Sequence, residues 1–226
     1  MLFLNVPYAE KNEAKELGAK WNVEKKKWYV EKREDYDKFM KWIMTDYEEF
    51  DIICDYLYIV VGKRNCFKCN KVTNVLAFGY KNMMECFRDD LDEAELDDVD
   101  IDISFDGDIH IGGYELGIPN EIIECLKKHF NYKEKYSKTT QMIGLSNCCE
   151  HCDSLQGDYF LYEEVDSPFY IDDEEKASNL TLYKLKLPYD FAIEGGFAYG
   201  SEDKLIEKYA KIIDVDSLEE LDKTLE

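Results

Sequence analysis

Two Cys-x-x-Cys pairs, Cys66-Phe67-Lys68-Cys69 and Cys149-Glu150-His151-Cys152, constrain this chain more than any other feature. Each pair sets two sulfurs on one tight turn, and two such turns face to face supply the closed tetrahedral set of thiolates that a structural Zn2+ prefers. The expected ligands are therefore Cys66, Cys69, Cys149 and Cys152, with Cys148 and His151 as rivals at the second turn. Asn70 and Asp153 each follow the last cysteine of a pair, where a metal knuckle often needs a positive φ that Asn and Asp tolerate. Since 79 residues separate Cys69 from Cys149, far more than a ribbon loop needs, an insert spanning 81–146 has to fold between the knuckles. The lone Cys54, Cys86 and Cys125 read as small core hydrophobes.

With 226 residues, 45% of them hydrophobic, the chain can build a core without disulfides. Met1-Leu2-Phe3-Leu4 is cut short by Asn5 and Pro7, too soon for a signal peptide, and no later apolar run could span a bilayer. The expectation is a cytoplasmic protein with no membrane partner, its thiols reduced or metal-bound. The net charge of −22 repels phosphate backbones, but it is unevenly spread. Residues 1–42 hold ten Lys or Arg against eight Asp or Glu, a balance of +2, which leaves −24 for residues 43–226. Nucleic acid could be met only through a local basic surface.

At the N-terminus, Leu2 to Val6 reads as a strand, Glu10 to Leu17 as a helix capped by Gly18, and Lys27-Trp28-Tyr29-Val30 as a second strand. The expected small core is Leu4, Val6, Leu17, Trp21 and Trp28. Asn5-Val6-Pro7-Tyr8, Glu10-Lys11, Ala14-Lys15, Leu17-Gly18-Ala19-Lys20-Trp21 and Lys27-Trp28-Tyr29-Val30 resemble a small bacterial domain of unknown function that recurs in plasmid primases of the TraC type. Glu31 stands where that family often has proline. The resemblance implies an association with mobile-element DNA metabolism, with Lys25, Lys26 and Lys27 as the candidate nucleic-acid contact; a plain packing module is the simpler alternative. The second knuckle is similar to that of bacterial hypothetical proteins that join two Cys-x-x-Cys motifs to this module, which implies a zinc-ribbon core and no known reaction.

Further along, Tyr36, Phe39, Met40 and Ile43 mark an amphipathic helix over Glu34 to Thr45, and Ile52 to Val61 reads as one strand entering the first knuckle. Lys63, Arg64, Lys68 and Lys71 form a basic island that either offsets a doubly negative metal–thiolate centre or faces phosphate. Eleven of the twenty residues from Asp89 to Asp108 are acidic. There Val99 to Phe105 and Asp108 to Ile111 suggest a hairpin about Asp106-Gly107; a calcium loop lacks its closing glutamate because Gly113 holds the twelfth position. Asn120 is expected to cap a helix through Phe130, a strand is expected near Tyr159 to Leu161, and another over Leu180 to Leu187. Gly195-Gly196-Phe197-Ala198-Tyr199-Gly200 precedes helices in which Leu205, Tyr209 and Ile212 share a stripe and Asp216 with Glu219 forms a capping box. Carboxylates around that glycine loop give it the wrong sign for phosphate.

The resulting expectation is an α+β chain: a strand-helix-strand module with its following helix over 1–46, then a zinc-ribbon-like antiparallel β core over 52–226 with an inserted hairpin and helix. None of His110, His129 and His151 sits in a setting that marks a general base, and no nucleophile or nucleotide-loop motif is present. The leading reading is a non-catalytic, zinc-binding interaction protein of a bacterium or mobile element, with an unidentified protein partner. An acidic decoy that mimics DNA is the alternative, and a thiol redox enzyme a third.

Overall fold

The computed structural model describes residues 1–43, 49–88, 99–102, 107–113, 117–194, 200 and 202–226. In chain order the strands are β1 (Leu2–Leu4), β2 (Lys20–Asn22), β3 (Lys27–Val30), β4 (Glu49–Ile53), β5 (Tyr56–Asn65), β6 (Val72–Tyr80), β7 (Met83–Arg88), β8 (Val99–Asp102), β9 (His110–Gly112), β10 (Tyr132–Tyr136), β11 (Ile143–Asn147), β12 (Thr181–Lys186), β13 (Phe191–Glu194) and β14 (Lys211–Val215). The α-helices are α1 (Lys11–Glu16), α2 (Asn120–His129), α3 (Glu174–Ser178), α4 (Lys204–Tyr209) and α5 (Leu218–Leu225). Sheets dominate and the helices are short, so the chain is α+β. No helix among the described residues is long and apolar enough to cross a membrane.

The chain divides into two compact units: Met1–Asp55 with Asn82–Phe105 and Leu187–Gly196, and Tyr56–Lys81 with Asp106–Lys186 and Phe197–Glu226. The first unit thus takes in chain segments beyond the 1–46 expected for the N-terminal module. A module of some forty residues buries too little surface to stand alone, and here its core runs on into a second sheet. Leu2, Leu4, Ala14, Val30, Tyr36, Phe39 and Trp42 form one buried cluster with Phe50 and Ile52 of β4 and Met84 and Cys86 of β7.

Within the first unit, the sheet order β1-β3-β2 is joined by a second sheet of order β13-β4-β7-β8. Helix α1 ends as expected: Gly18 adopts φ 107°, its N–H bonds to the Lys15 carbonyl, and the Ala19 N–H bonds to the Ala14 carbonyl at 2.9 Å. The expected module core needs correction. Leu4 is buried, whereas Leu17 and Trp21 are exposed, because residues 20–22 form an unforeseen strand whose Trp21 packs edge-on against Trp28 across the ladder. Tyr36, Phe39, Met40 and Ile43 of the expected stripe are buried, yet residues Arg33–Trp42 wind as a 3-10 helix. Tyr36, Phe39 and Trp42 are spaced by three, the repeat that eclipses side chains in that helix. Under this cluster, buried Asp190 accepts hydrogen bonds from Tyr36 Oη at 2.7 Å and from Arg33 Nε and Nη2 at 2.8 Å each.

The expected single strand over 52–61 is broken at Asp55, whose φ of 63° is incompatible with a continuing strand, and the chain passes there from the first unit to the second. The second unit is built on a sheet of order β14-β12-β5-β6-β9. It is mixed rather than purely antiparallel, since β12 and β14 run parallel. Ile212, expected on one helical stripe with Leu205 and Tyr209, lies instead in β14, because the helix stops at Tyr209. Tyr58, Val60, Val75, Ala77, Leu182 and Ile206 share one core cluster, while Leu57 and Ile59, which alternation sends to the other face, are equally buried. Of the hairpin expected about Asp106-Gly107, the described strands pair elsewhere, β8 with β7 and β9 with β6. Most of the acidic run and residues 103–106, on which the calcium alternative rested, lie outside the described residues, as do 195–199 and 201 of the glycine loop.

Three smaller expectations are revised. Asn120 is the first residue of α2 and Pro119 precedes it, with no side-chain cap. Residues Tyr159–Glu163 form a helical turn rather than a strand. The capping box of α5 sits one residue later than expected: Ser217 accepts from the Glu220 N–H, and the Glu220 carboxylate accepts from the Asp216 N–H.

Candidate metal centre

The two knuckles hang on two hairpins of the second unit. β5 and β6 pair from Tyr58↔Gly79 to Asn65↔Val72, and Cys66 to Lys71 is the turn that closes them. β10 and β11 pair from Tyr136↔Ile143 to Tyr132↔Asn147, and Cys148 to Leu155 follows directly. The turns have matching hydrogen bonds. Cys66 N–H donates to Lys71 O and Asn70 N–H to Cys66 O; Cys149 N–H donates to Ser154 O and Asp153 N–H to Cys149 O, all between 2.8 and 2.9 Å. Asn70 and Asp153 take φ values of 56° and 59°, which explains these residue types directly after the cysteines.

The four Sγ atoms of Cys66, Cys69, Cys149 and Cys152 lie within 4.8 Å of one another. The contacts between knuckles, Cys66 to Cys152 and Cys69 to Cys149, are each 3.6 Å. A disulfide needs about 2.05 Å, whereas four sulfurs at about 2.3 Å from one tetrahedral metal stand about 3.8 Å apart. The spacing therefore suits a metal ion, and so does the donor set. Lys68 N–H points at Cys66 Sγ and His151 N–H at Cys149 Sγ, both at 3.4 Å; Ser154 Oγ lies 2.8 Å from Cys152 Sγ; and buried Gln156 turns its Nε2 to Cys66 Sγ at 3.6 Å. Such outer donors favour thiolates and fix their orientation.

These contacts also divide the thiols. Burial alone would raise Cys66, but hydrogen bonds from Ser154 and the backbone N–H groups of Cys69 and Lys68 bring it down to about 5. Cys152 is lowered as well, first by its Ser154 contact. Cys69 moves the other way, to about 11: the Lys71 N–H favours its thiolate, and burial together with the three neighbouring sulfurs outweighs it. Without a cation, four thiolates this close cannot all carry charge; a bound dication removes that conflict.

Neither rival joins the set. His151 Nε2 is 2.9 Å from the Val72 carbonyl. Cys148 is buried with its Sγ toward Ser146 O, and burial raises its pKa. Sequence reasoning missed the polar dock that brings the knuckles together. Glu150 accepts from Asn74 Nδ2 at 3.0 Å and its N–H donates to Thr73 Oγ1 at 3.0 Å, so the second turn is fastened to the first residues of β6. In the basic island, Arg64 donates to the Phe160 carbonyl at 2.8 Å, while Lys63, Lys68 and Lys71 are exposed. Lys133 and Lys135 neutralise Asp153 and hold its carboxyl well below the usual range.

A second cluster in this unit unites Cys125 and His129 of α2 with Asp222 of α5. His129 Nε2 lies 2.7 Å from Asp222 Oδ1, and Lys128 Nζ 3.0 Å from the other oxygen. The pairing joins two helices, and Cys125, pushed up to about 11 by burial and then by Asp222, stays a neutral thiol.

In the first unit the structure separates the three candidate lysines. Lys25 lies 5.6 Å over the Tyr189 ring, whereas Lys26 and Lys27 line an open cavity of about 430 Å3 with Tyr8, Lys11, Trp21 and Trp28.

Comparison with known proteins touches only this N-terminal region. Residues 1–44 match a family described as a domain of unknown function, DUF5710. Two Escherichia coli proteins named DNA primase TraC are 50% and 48% identical to this chain over 40 residues, which is 18% of the chain and only 3% and 4% of those proteins. No solved structure matches. The chain is thus similar to a short segment of a DNA primase in its first unit, and it spans a small fraction of those relatives' length.

Proposed function

We propose that this is a non-catalytic interaction protein of a bacterium or mobile element, linked to DNA metabolism, whose second unit is organised by one structural zinc ion. The observation that carries the reading is the convergence of Cys66, Cys69, Cys149 and Cys152 from two hairpin turns onto one point. A closed four-sulfur set leaves no open position for a substrate or water, as in structural rather than catalytic zinc sites. The DNA link rests on the first unit's likeness to a segment of DNA primase TraC.

The thiol redox alternative fits less well. Sulfur contacts of 3.6 Å run between the knuckles, so each thiol has neighbours outside its own Cys-x-x-Cys, and neither turn opens a helix as a thioredoxin-like redox pair does. Elemental analysis of purified protein tests the proposal: about one zinc per chain is expected, with Cys66→Ser and Cys149→Ser each losing both the metal and a cooperative unfolding transition. A metal-free, fully folded protein that reduces disulfides would sink it.

A further inference from the structure

We propose that the N-terminal module binds single-stranded nucleic acid, stacking bases on Tyr8 and Trp21 and placing phosphates against Lys26 and Lys27. The site is complete within the first unit and does not depend on the metal centre. It rests on an exposure that packing does not explain: Tyr8 is 83% exposed and Trp21 49%, both at the rim of the open cavity.

The local chain makes this surface by necessity. Trp21 and Trp28 face each other across the β2–β3 ladder with ring centroids 5.5 Å apart at 65°, so one indole props the other outward. The turn between these strands puts Lys26 in the left-handed region at φ 52°, a conformation uncommon for lysine, and Asn22 Oδ1 holds it by accepting the Lys25 N–H at 2.8 Å. Lys26 and Lys27 therefore line the cavity of about 430 Å3 together with Tyr8 and Trp21.

Charge decides the occupant. Several carboxylates of the module are matched to other cations: Glu10 and Glu13 pair with Lys41, Glu31 with Lys20, Glu34 with Lys32 and Asp35 with Lys38. Among the described residues no carboxylate pairs with Lys26 or Lys27, in a chain whose net charge is −22. Two uncompensated cations beside exposed aromatic rings suit a ligand that alternates flat apolar faces with negative charge, which is single-stranded nucleic acid. In a duplex the base faces are hidden in the stack, leaving Tyr8 and Trp21 without a role.

Fluorescence anisotropy of a labelled oligothymidylate of about twelve nucleotides with the full chain tests this. Trp21→Ala and Tyr8→Ala are each expected to weaken binding by roughly ten-fold or more, the scale of one lost stacking contact. Replacing both Lys26 and Lys27 by Ala should lower the slope of log affinity against log salt by about 1.4. Tyr8 is too exposed for its removal to unfold the module, and unchanged metal content in each variant would show the second unit intact. The proposal is overturned if the wild-type chain does not bind the oligonucleotide, if duplex of the same length competes equally, or if both aromatic variants bind like wild type.

Discussion

The Asn147 side chain completes the β6 backbone as a neighbouring strand would: its Oδ1 accepts the Leu76 N–H at 2.7 Å and its Nδ2 donates to the Leu76 carbonyl at 2.9 Å. The β6–β9 ladder ends at Phe78↔Gly112, so Asn147 supplies the next pair along that edge. It is the last residue of β11, one step before Cys148-Cys149, and this amide brings the second knuckle to the first hairpin before any metal is considered.

Asn147→Ala should therefore destabilise the second unit by about 1–3 kcal/mol, the cost of a buried group left unpaired, because the Leu76 N–H loses its partner while the Leu76 carbonyl keeps the Tyr162 hydroxyl at 3.4 Å. Denaturant unfolding of the zinc-loaded protein checks this. A loss below about 0.5 kcal/mol would mean that Leu76 is solvated by other means.

Glu150 makes the complementary dock through Thr73 and Asn74. Glu150→Ala removes the carboxylate but keeps the backbone bond to Thr73, so a smaller loss of about 1 kcal/mol is expected. Metal affinity should fall with it, since the second knuckle is then less well positioned before binding. Competition with a chromophoric chelator measures the change, and an affinity equal to wild type contradicts the dock.

In the first unit, Asp190→Ala should cost about 2–3 kcal/mol. It strands the buried Tyr36 hydroxyl and one side of the Arg33 guanidinium, and hydrogen bonds to charged groups carry about 1.5–3 kcal/mol. Arg33 is partly exposed and keeps Asp55, which limits the loss. Thermal unfolding with and without chelator separates this effect from the metal centre: the Asp190 penalty should be the same in both.

The α2–α5 contact should weaken in acid. Hydrogen bonds from His129, then Lys128, hold Asp222 at about 2 in the folded chain. A carboxyl depressed in the fold stabilises it fully above its unfolded pKa of about 3.9, and the contribution disappears as pH falls toward about 2. Hydrogen-exchange protection of α5 should decline over that window, and Asp222→Asn should abolish the pH dependence while lowering protection at neutral pH. Protection in the wild type that stays flat from pH 4 to 2 contradicts the assignment.

Local chemistry was legible in the sequence where neighbours along the chain determine it. The two matched knuckles with Asn70 and Asp153, the Gly18 cap and the buried stripe of Tyr36, Phe39 and Met40 were all readable, because turn conformation and periodicity are local properties. What depended on distant partners was not. Trp21 looks like core until β2 is paired; Ile212 fits a helical stripe until β12 supplies a parallel neighbour; Val99 and Ile111 suggest a hairpin although their strands lie in different sheets. The first unit's boundary was hidden for the same reason. Its core borrows β4 and β7, and Asp190 reaches it from more than a hundred residues away. At the metal centre the ligand spacing was visible, while the Asn147, Glu150 and Gln156 contacts had no sequence signature, being single polar residues whose partners only the fold reveals.

X-ray absorption at the zinc edge of the purified protein reads the metal's ligands themselves. One metal shell of four sulfurs at about 2.3 Å is expected, unchanged in Cys148→Ser and His151→Ala. A nitrogen or oxygen ligand in the first shell, or a folded protein that carries no zinc, would contradict it.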